Sequence, residues 1–176
     1  MRKQPAIIEN RPDWENRYNA FVAKYESTGE TDWTLYARPR NKIQPDGPGI
    51  DLRQSRLMFI TSAGAYLPEM HEPFDAHAAL GDHSIRVLPS SSDLRHIKFA
   101  HSHFDHAMVE ADPQTLLPLN HLHTIVDEGG IAELSPSMVS FSGYLPDAGR
   151  LVDETLPAIL KVAKKEGAEA ALLVPA

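Results

Sequence analysis

The sequence predicts an α/β protein with a three-layer, mainly parallel sheet and flanking helices, plus an N-terminal amphipathic helix. Three observations support this class. Short apolar runs at 57–64, 138–142 and 170–174 have the length of buried strands and are closed by glycine or proline. Helical patterns at 116–126 and 151–165 separate these runs. Alternation of strands and helices is typical of a parallel sheet that is covered on both faces.

The first 50 residues predict a helix and a connector. An aromatic face recurs at spacings of three and four residues over 10–30, between a start signal at Pro12 and a stop at Gly29. We expect this face to pack on the core or on a second subunit. Residues 37–50 contain three prolines and form a turn-rich connector. We therefore assign 1–50 to an N-terminal helix and connector and 51–176 to an α/β domain, which together make one globular unit.

The remaining elements follow in order. Residues 84–88 predict a strand that stops at Pro89, and 95–100 alternate polar and apolar residues before a histidine-rich string. The helix over 116–126 ends at Gly129-Gly130. The helix over 151–165 contains Pro157, which either kinks it or occupies its first turn, where a missing N–H does no harm.

Composition excludes several function classes. The chain has 17 Lys and Arg against 24 Asp and Glu, a net charge of −7, so we expect no broad binding of nucleic acid or anionic membrane. It contains no cysteine, which excludes disulfides and thiol chemistry by this chain alone. No apolar run is long enough to span a bilayer, and the N-terminus does not resemble a signal peptide. We expect a cytoplasmic protein.

A string rich in histidine, 101–106, follows the strand-like residues 95–100. His101, His103 and either Asp105 or His106 could converge on a divalent metal, zinc or iron, if the backbone turns there. The string resembles the metal motif of metallo-β-lactamase-fold hydrolases, although Ala107 follows it where that fold has glycine. The alternative is a polar loop whose histidines hydrogen-bond the backbone or a substrate without a metal.

Small residues end two of the predicted strands. Ser62 and Gly64 lie at the end of the first apolar run, 57–64, and Ser142 and Gly143 lie at the end of the strand at 138–142. In an open α/β sheet such strand ends border the ligand crevice, and small residues let the backbone approach an anionic or carboxylate group. We therefore expect these four residues to bind substrate. Tyr144 would face the same crevice and donate a hydrogen bond.

Several sequence motifs, in their order and spacing, resemble those of one protein family. They are Pro73-Phe-Asp75, Gly81-Asp-His-Ser-Ile-Arg86, Leu88-Pro89, His101-Ser-His-Phe-Asp105, Asp112, Pro118-Leu119, Gly130-Ile131, Ser140-Phe-Ser-Gly-Tyr144 and Ala170-Ala-Leu-Leu-Val-Pro175. Together they resemble the selenoprotein B family of glycine/sarcosine/betaine reductase and D-proline reductase, over roughly residues 56–176. The resemblance implies an α/β fold and reductive cleavage of an amine-type substrate, with selenocysteine or cysteine as the attacking group.

The resemblance also implies a reactive Cys or Sec just after the strand that ends at Val174, and this sequence has none. Three explanations are open: a shortened protein, a partner chain that supplies the thiol or selenol, or changed chemistry. We expect a reductase-like protein that binds a small amine or amino-acid-like substrate, as a homo-oligomer or with a partner subunit. The alternatives are a metal-dependent enzyme and a non-catalytic subunit of a complex. The residues expected to be catalytic are His101, His103, Asp105 and Tyr144.

Overall fold

The core is a mixed five-stranded sheet, seen in a computed structural model that describes residues 7–42, 49–102 and 104–176. Its strands are β1 (Arg56–Thr61), β3 (Ile85–Pro89), β5 (Glu133–Leu134), β6 (Ser137–Phe141) and β7 (Ala170–Val174). β2 (Ala65–Tyr66) and β4 (Lys98–Phe99) form a separate antiparallel pair. β1 is central: β5 and then β6 pair along one of its edges, and β7 pairs along the other.

The strand directions confirm the predicted mainly parallel sheet. β1 runs parallel to β5, β6 and β7. β3 lies at the outer edge of β6 and runs antiparallel to it, with Val87 opposite Val139. The C-terminal ends of β1, β6 and β7 therefore meet at one edge of the sheet, as they must for parallel neighbours.

The two faces of the sheet are buried by different helices. Leu57 and Phe59 of β1 point to the face covered by α3 (Leu119–Asp127), and Met58 and Ile60 point to the face covered by α5 (Leu156–Lys165). This alternation follows from the two-residue period of a strand. Each such apolar side chain contributes about 1.5–3 kcal/mol when it is fully buried. The predicted three layers are therefore confirmed as helix, sheet and helix.

The N-terminal helix α1 (Arg11–Thr28) has the predicted bounds to within two residues. It starts with Pro12 in its first turn and ends at Gly29, whose φ of 73° gives the left-handed cap that glycine adopts easily. Its buried face carries Trp14, Tyr18 and Phe21. This face packs in a cluster of its own with Tyr36, Leu80, Ala148 and Val152, so α1 covers the region that precedes α5.

Pro157 is accommodated by a widened helical turn. A short α4 (Ala148–Arg150) continues into a π-helical turn, Leu151–Thr155, and then into α5, in which Pro157 is the second residue. A proline inside a regular helix clashes with the carbonyl four residues earlier, and the wider π turn relieves that clash. The second of the two predicted arrangements is therefore closer to the structure.

Other elements are shorter than predicted. The helix expected at 116–126 begins at Leu119, after Pro118, and ends at Asp127. The expected strand at 95–100 is a 3-10 turn, Leu94–His96, followed by the two residues of β4. A short helix α2 (His106–Ala111) follows the histidine string. Part of the predicted connector, 43–48, lies outside the described residues. None of the helices within the described ranges is both long and apolar enough to cross a membrane.

Candidate functional site

The ends of β1, β6 and β7 are tied together by backbone contacts. Ala63 and Ser142 form an isolated antiparallel bridge just beyond β1 and β6. The Ser62 N–H donates to the carbonyl of Val174, the last residue of β7, at 3.2 Å. These contacts fix the small residues that follow each strand, so the predicted substrate-binding residues do lie together at one edge of the sheet.

Gly143 marks the point where three of the predicted residues converge. A Cβ at this position would lie 3.1 Å from Nε2 of His101, 3.1 Å from the carbonyl oxygen of Ser62 and 3.2 Å from its hydroxyl oxygen. The imidazole and the serine therefore face each other across a glycine. Only 7% of His101 is exposed, so its ring points inward and not to bulk solvent.

Gly64 sets the position of the residues that lead into the string. Its φ is +65°, and a Cβ there would lie 2.5 Å from the carbonyl oxygen of Ala100. The Ala100 N–H donates to the Gly64 carbonyl at 2.9 Å. Because Ala100 directly precedes His101, this close backbone contact holds the imidazole beside the ends of β1 and β6.

Hydroxyl groups line the same strand ends. The Ser62 hydroxyl oxygen accepts a hydrogen bond from the Ala176 N–H at 3.0 Å. Ser140 of β6 lies beside Thr61 of β1 and is fully buried. Its hydroxyl has no hydrogen-bond partner among the described residues. The sequence analysis did not single out Ser140, because strand periodicity does not show whether a buried hydroxyl has a hydrogen-bond partner.

Residues 104–106 of the histidine string make contacts of their own. The exposed Asp105 carboxylate caps α2 and accepts a hydrogen bond from the Ala107 N–H at 2.9 Å. His106 Nε2–H donates to the His101 carbonyl at 2.6 Å. The Phe104 ring lies 4.9 Å from the His101 ring and 4.7 Å from the His106 ring, between centroids.

The metal site therefore stays a prediction. His103, one of its expected ligands, lies outside the described residues. Among the residues that are described, no three His, Asp or Glu side chains are grouped as a metal ion would require. Asp105 and His106 have the helix-capping and backbone contacts given above.

Tyr144 contacts a loop before β3. Its hydroxyl donates to the Ala79 carbonyl at 2.9 Å, and its ring meets Trp33 edge-on, with 6.1 Å between centroids. Burial raises the pKa of the Tyr144 phenol above its ordinary value of about 10. The hydroxyl thus joins the strand end to the loop, and its catalytic role stays a prediction.

Comparison with known proteins identifies one informative relative. D-proline reductase subunit gamma from Acetoanaerobium sticklandii is 30% identical over 124 residues, which cover 70% of this chain and 49% of that protein. The chain thus spans about half the length of the curated relative it matches. No family model matches the chain. No solved structure matches it either. The chain therefore belongs to the selenoprotein B-like reductase family that its motifs had indicated.

Proposed function

We propose that this chain is the component of a reductase that binds a small amine or amino-acid-like substrate at the ends of β1, β6 and β7. The convergence of His101, Ser62 and Gly143 at that edge carries the proposal. A relative that is named as a reductase subunit supports it. Parallel sheets hold their ligands at this edge, because the strand ends leave backbone groups and side chains facing one crevice.

Each of the three residues has a role that follows from its chemistry. Gly143 leaves the space that a side chain would fill between the imidazole and the serine. Because the Ser62 oxygen already accepts from Ala176, its O–H proton is available to donate to a carboxylate of the substrate. Imidazole is the side chain that proteins use most often for proton transfer in catalysis. We assign His101 as the acid that protonates the nitrogen that leaves.

The electrons come from a thiol or selenol that is not part of this sequence, because the sequence contains no cysteine. A thiolate or selenolate of a partner subunit attacks the substrate carbon, the C–N bond breaks, and the nitrogen takes the bonding pair and the His101 proton. A second thiol then attacks the sulfur or selenium. The carbon leaves with the electron pair and is protonated, while the two chalcogens end as a disulfide or selenosulfide. The substrate gains two electrons and two protons, and the two thiol groups are oxidised.

Calorimetry with small ligands tests the substrate-binding part. We expect D-proline, L-proline, sarcosine or betaine to show saturable binding to the purified chain. Ser62→Ala should weaken it by about tenfold, the effect of one charge-assisted hydrogen bond. Ser27→Ala removes an exposed hydroxyl at the end of α1 and is the matched control. Heat signals from none of the four ligands, or equal affinities for both serine variants, would overturn the assignment.

The partner is tested separately. Affinity purification from the source organism, followed by mass spectrometry, should recover a protein that contains a reactive Cys or Sec. Light scattering of the purified chain gives its own oligomeric state. A chain that is reproducibly recovered alone would contradict the partner, while the calorimetric result would still stand.

A further inference from the structure

An open cavity of about 820 Å³ lies beside the start of α1 and is distinct in its lining from the strand-end group. Its volume is within the range of small-molecule sites. The lining combines aromatic rings with guanidinium groups, which is the chemistry that recognises planar anions. The residues that matter here are Trp14, Trp33, Tyr36, Arg17, Arg38 and Arg40.

Hydrogen bonds hold the two walls of the cavity together. The Trp14 indole N–H donates to the Ala37 carbonyl at 2.8 Å. The Asn41 side chain donates to the Ile7 carbonyl at 2.6 Å and accepts from the Glu9 N–H at 3.2 Å. The segment that carries Arg38 and Arg40 is therefore fastened along the start of α1, so the cavity is preformed.

Within the described ranges, the charges in the cavity are not balanced by neighbouring ion pairs. In the described part of the chain, no carboxylate lies within ion-pair distance of Arg17, Arg38 or Arg40. Among the described lining residues, Asp13 is the one acidic residue, and its carboxylate accepts a hydrogen bond from the Asn10 side chain. Three guanidinium groups and one carboxylate leave a net charge of about two positive, in a chain whose acidic residues outnumber its basic ones.

The aromatic wall offers a ring surface beside these charges. Trp33 is 49% exposed, and it is braced edge-on by Tyr36 at 5.4 Å between centroids. An exposed indole that is held in place can stack on a flat ring at little entropic cost. A phosphate monoester carries nearly two negative charges at neutral pH, which matches the excess positive charge of the cavity. Guanidinium groups bind such oxygens in a bidentate way.

We propose that this cavity binds a nucleotide, with its phosphate on the arginines and its base against Trp33. The site is separate from the proposed substrate site, so either can fail without the other. Binding would place a phosphorylated heterocycle next to the cluster in which α1 packs on Val152. The nucleotide would act there as a bound ligand and undergo no reaction.

Tryptophan fluorescence and calorimetry test the proposal. The chain has two tryptophans, and both line the cavity, so their emission reports on this site. The probes are AMP, adenosine and inorganic phosphate. We expect AMP to change the emission saturably and to bind about tenfold or more tightly than either fragment. Added salt should weaken the binding of AMP, because the arginines are exposed.

Variants locate the binding. The double substitution Arg38→Ala, Arg40→Ala should weaken AMP binding by about tenfold or more, whereas Arg53→Ala, an exposed arginine outside the cavity, should leave it unchanged. Arg17→Gln is a second variant on the opposite wall, and thermal melts check that each protein is folded. Equal affinities for AMP and adenosine, equal affinities in the double variant and the control, or no response at millimolar AMP would each overturn the proposal.

Discussion

Replacing Gly64 by alanine tests how the imidazole is held at the strand ends. Two costs add at this position. An alanine at a φ of +65° lies in the left-handed region, which costs about 1–2 kcal/mol. Its Cβ would also lie 2.5 Å from the Ala100 carbonyl oxygen, where ordinary contact begins at 3.4 Å. Relieving this overlap requires a backbone shift, at about 1–3 kcal/mol. We expect Gly64→Ala to lower the free energy of unfolding by about 2–5 kcal/mol.

Gly129→Ala separates the two costs. Gly129 has a φ of +73°, and a Cβ there would meet no atom within 4 Å, so only the backbone cost of about 1–2 kcal/mol applies. Urea unfolding followed by circular dichroism gives both free energies by linear extrapolation. If Gly64→Ala is no more destabilising than Gly129→Ala, the close contact with Ala100 does not hold His101 in place, and the reasoning fails.

Three further predictions concern single side chains. Burial lowers the pKa of His83, so the unfolded chain binds the proton more readily, and the free energy of unfolding should fall as pH drops below about 6.5. His83→Gln should reduce this dependence of the unfolding free energy on pH, measured by urea melts from pH 5 to 8. An unchanged pH dependence in the variant would contradict the prediction. Asp105→Ala should lower the free energy of unfolding by about 1 kcal/mol through the lost helix cap, and Asp105→Asn should lower it much less. Elemental analysis of untagged protein should give both variants the metal content of the parent protein. A loss of bound metal in either variant would instead make Asp105 a ligand. Tyr144→Phe should lower stability by about 1 kcal/mol through the lost bond to Ala79, and a melt that matches the parent protein would rule that contribution out.

The apolar run at 138–142 predicts β6 well, because the buried middle residues of this inner strand leave a continuous hydrophobic signal. The run at 170–174 predicts β7 equally well, although among the described strands β7 pairs with β1 alone and alternates half-buried and exposed residues. β7 has the predicted bounds, and β6 starts and ends one residue early. The pairing direction of β3 was not accessible in this way. A strand of five residues carries no local signal for parallel or antiparallel pairing. The direction of β3 depends instead on the path of the loop between Tyr66 and Ile85.

The candidate site was predictable in part. The rule that ligands meet the ends of parallel strands placed Ser62, Gly143 and His101 in one region, and the structure brings them together. The helix cap made by Asp105 was not predicted, because an aspartate before a short helix looks the same in sequence whether it caps the helix or binds an ion. Tyr144 follows a glycine after β6, so its direction depends on a turn that periodicity does not describe.

The place of β1 has a consequence for how the protein acquires its structure. One edge of β1 pairs with β7, and the two strands are separated by more than half of the chain. Pairings between such distant segments lose more chain entropy before they gain contacts, and they slow folding. A ribosome would release the long segment between these two strands before the middle of the sheet could close, so the nascent protein would expose one edge of β1 until β7 emerges.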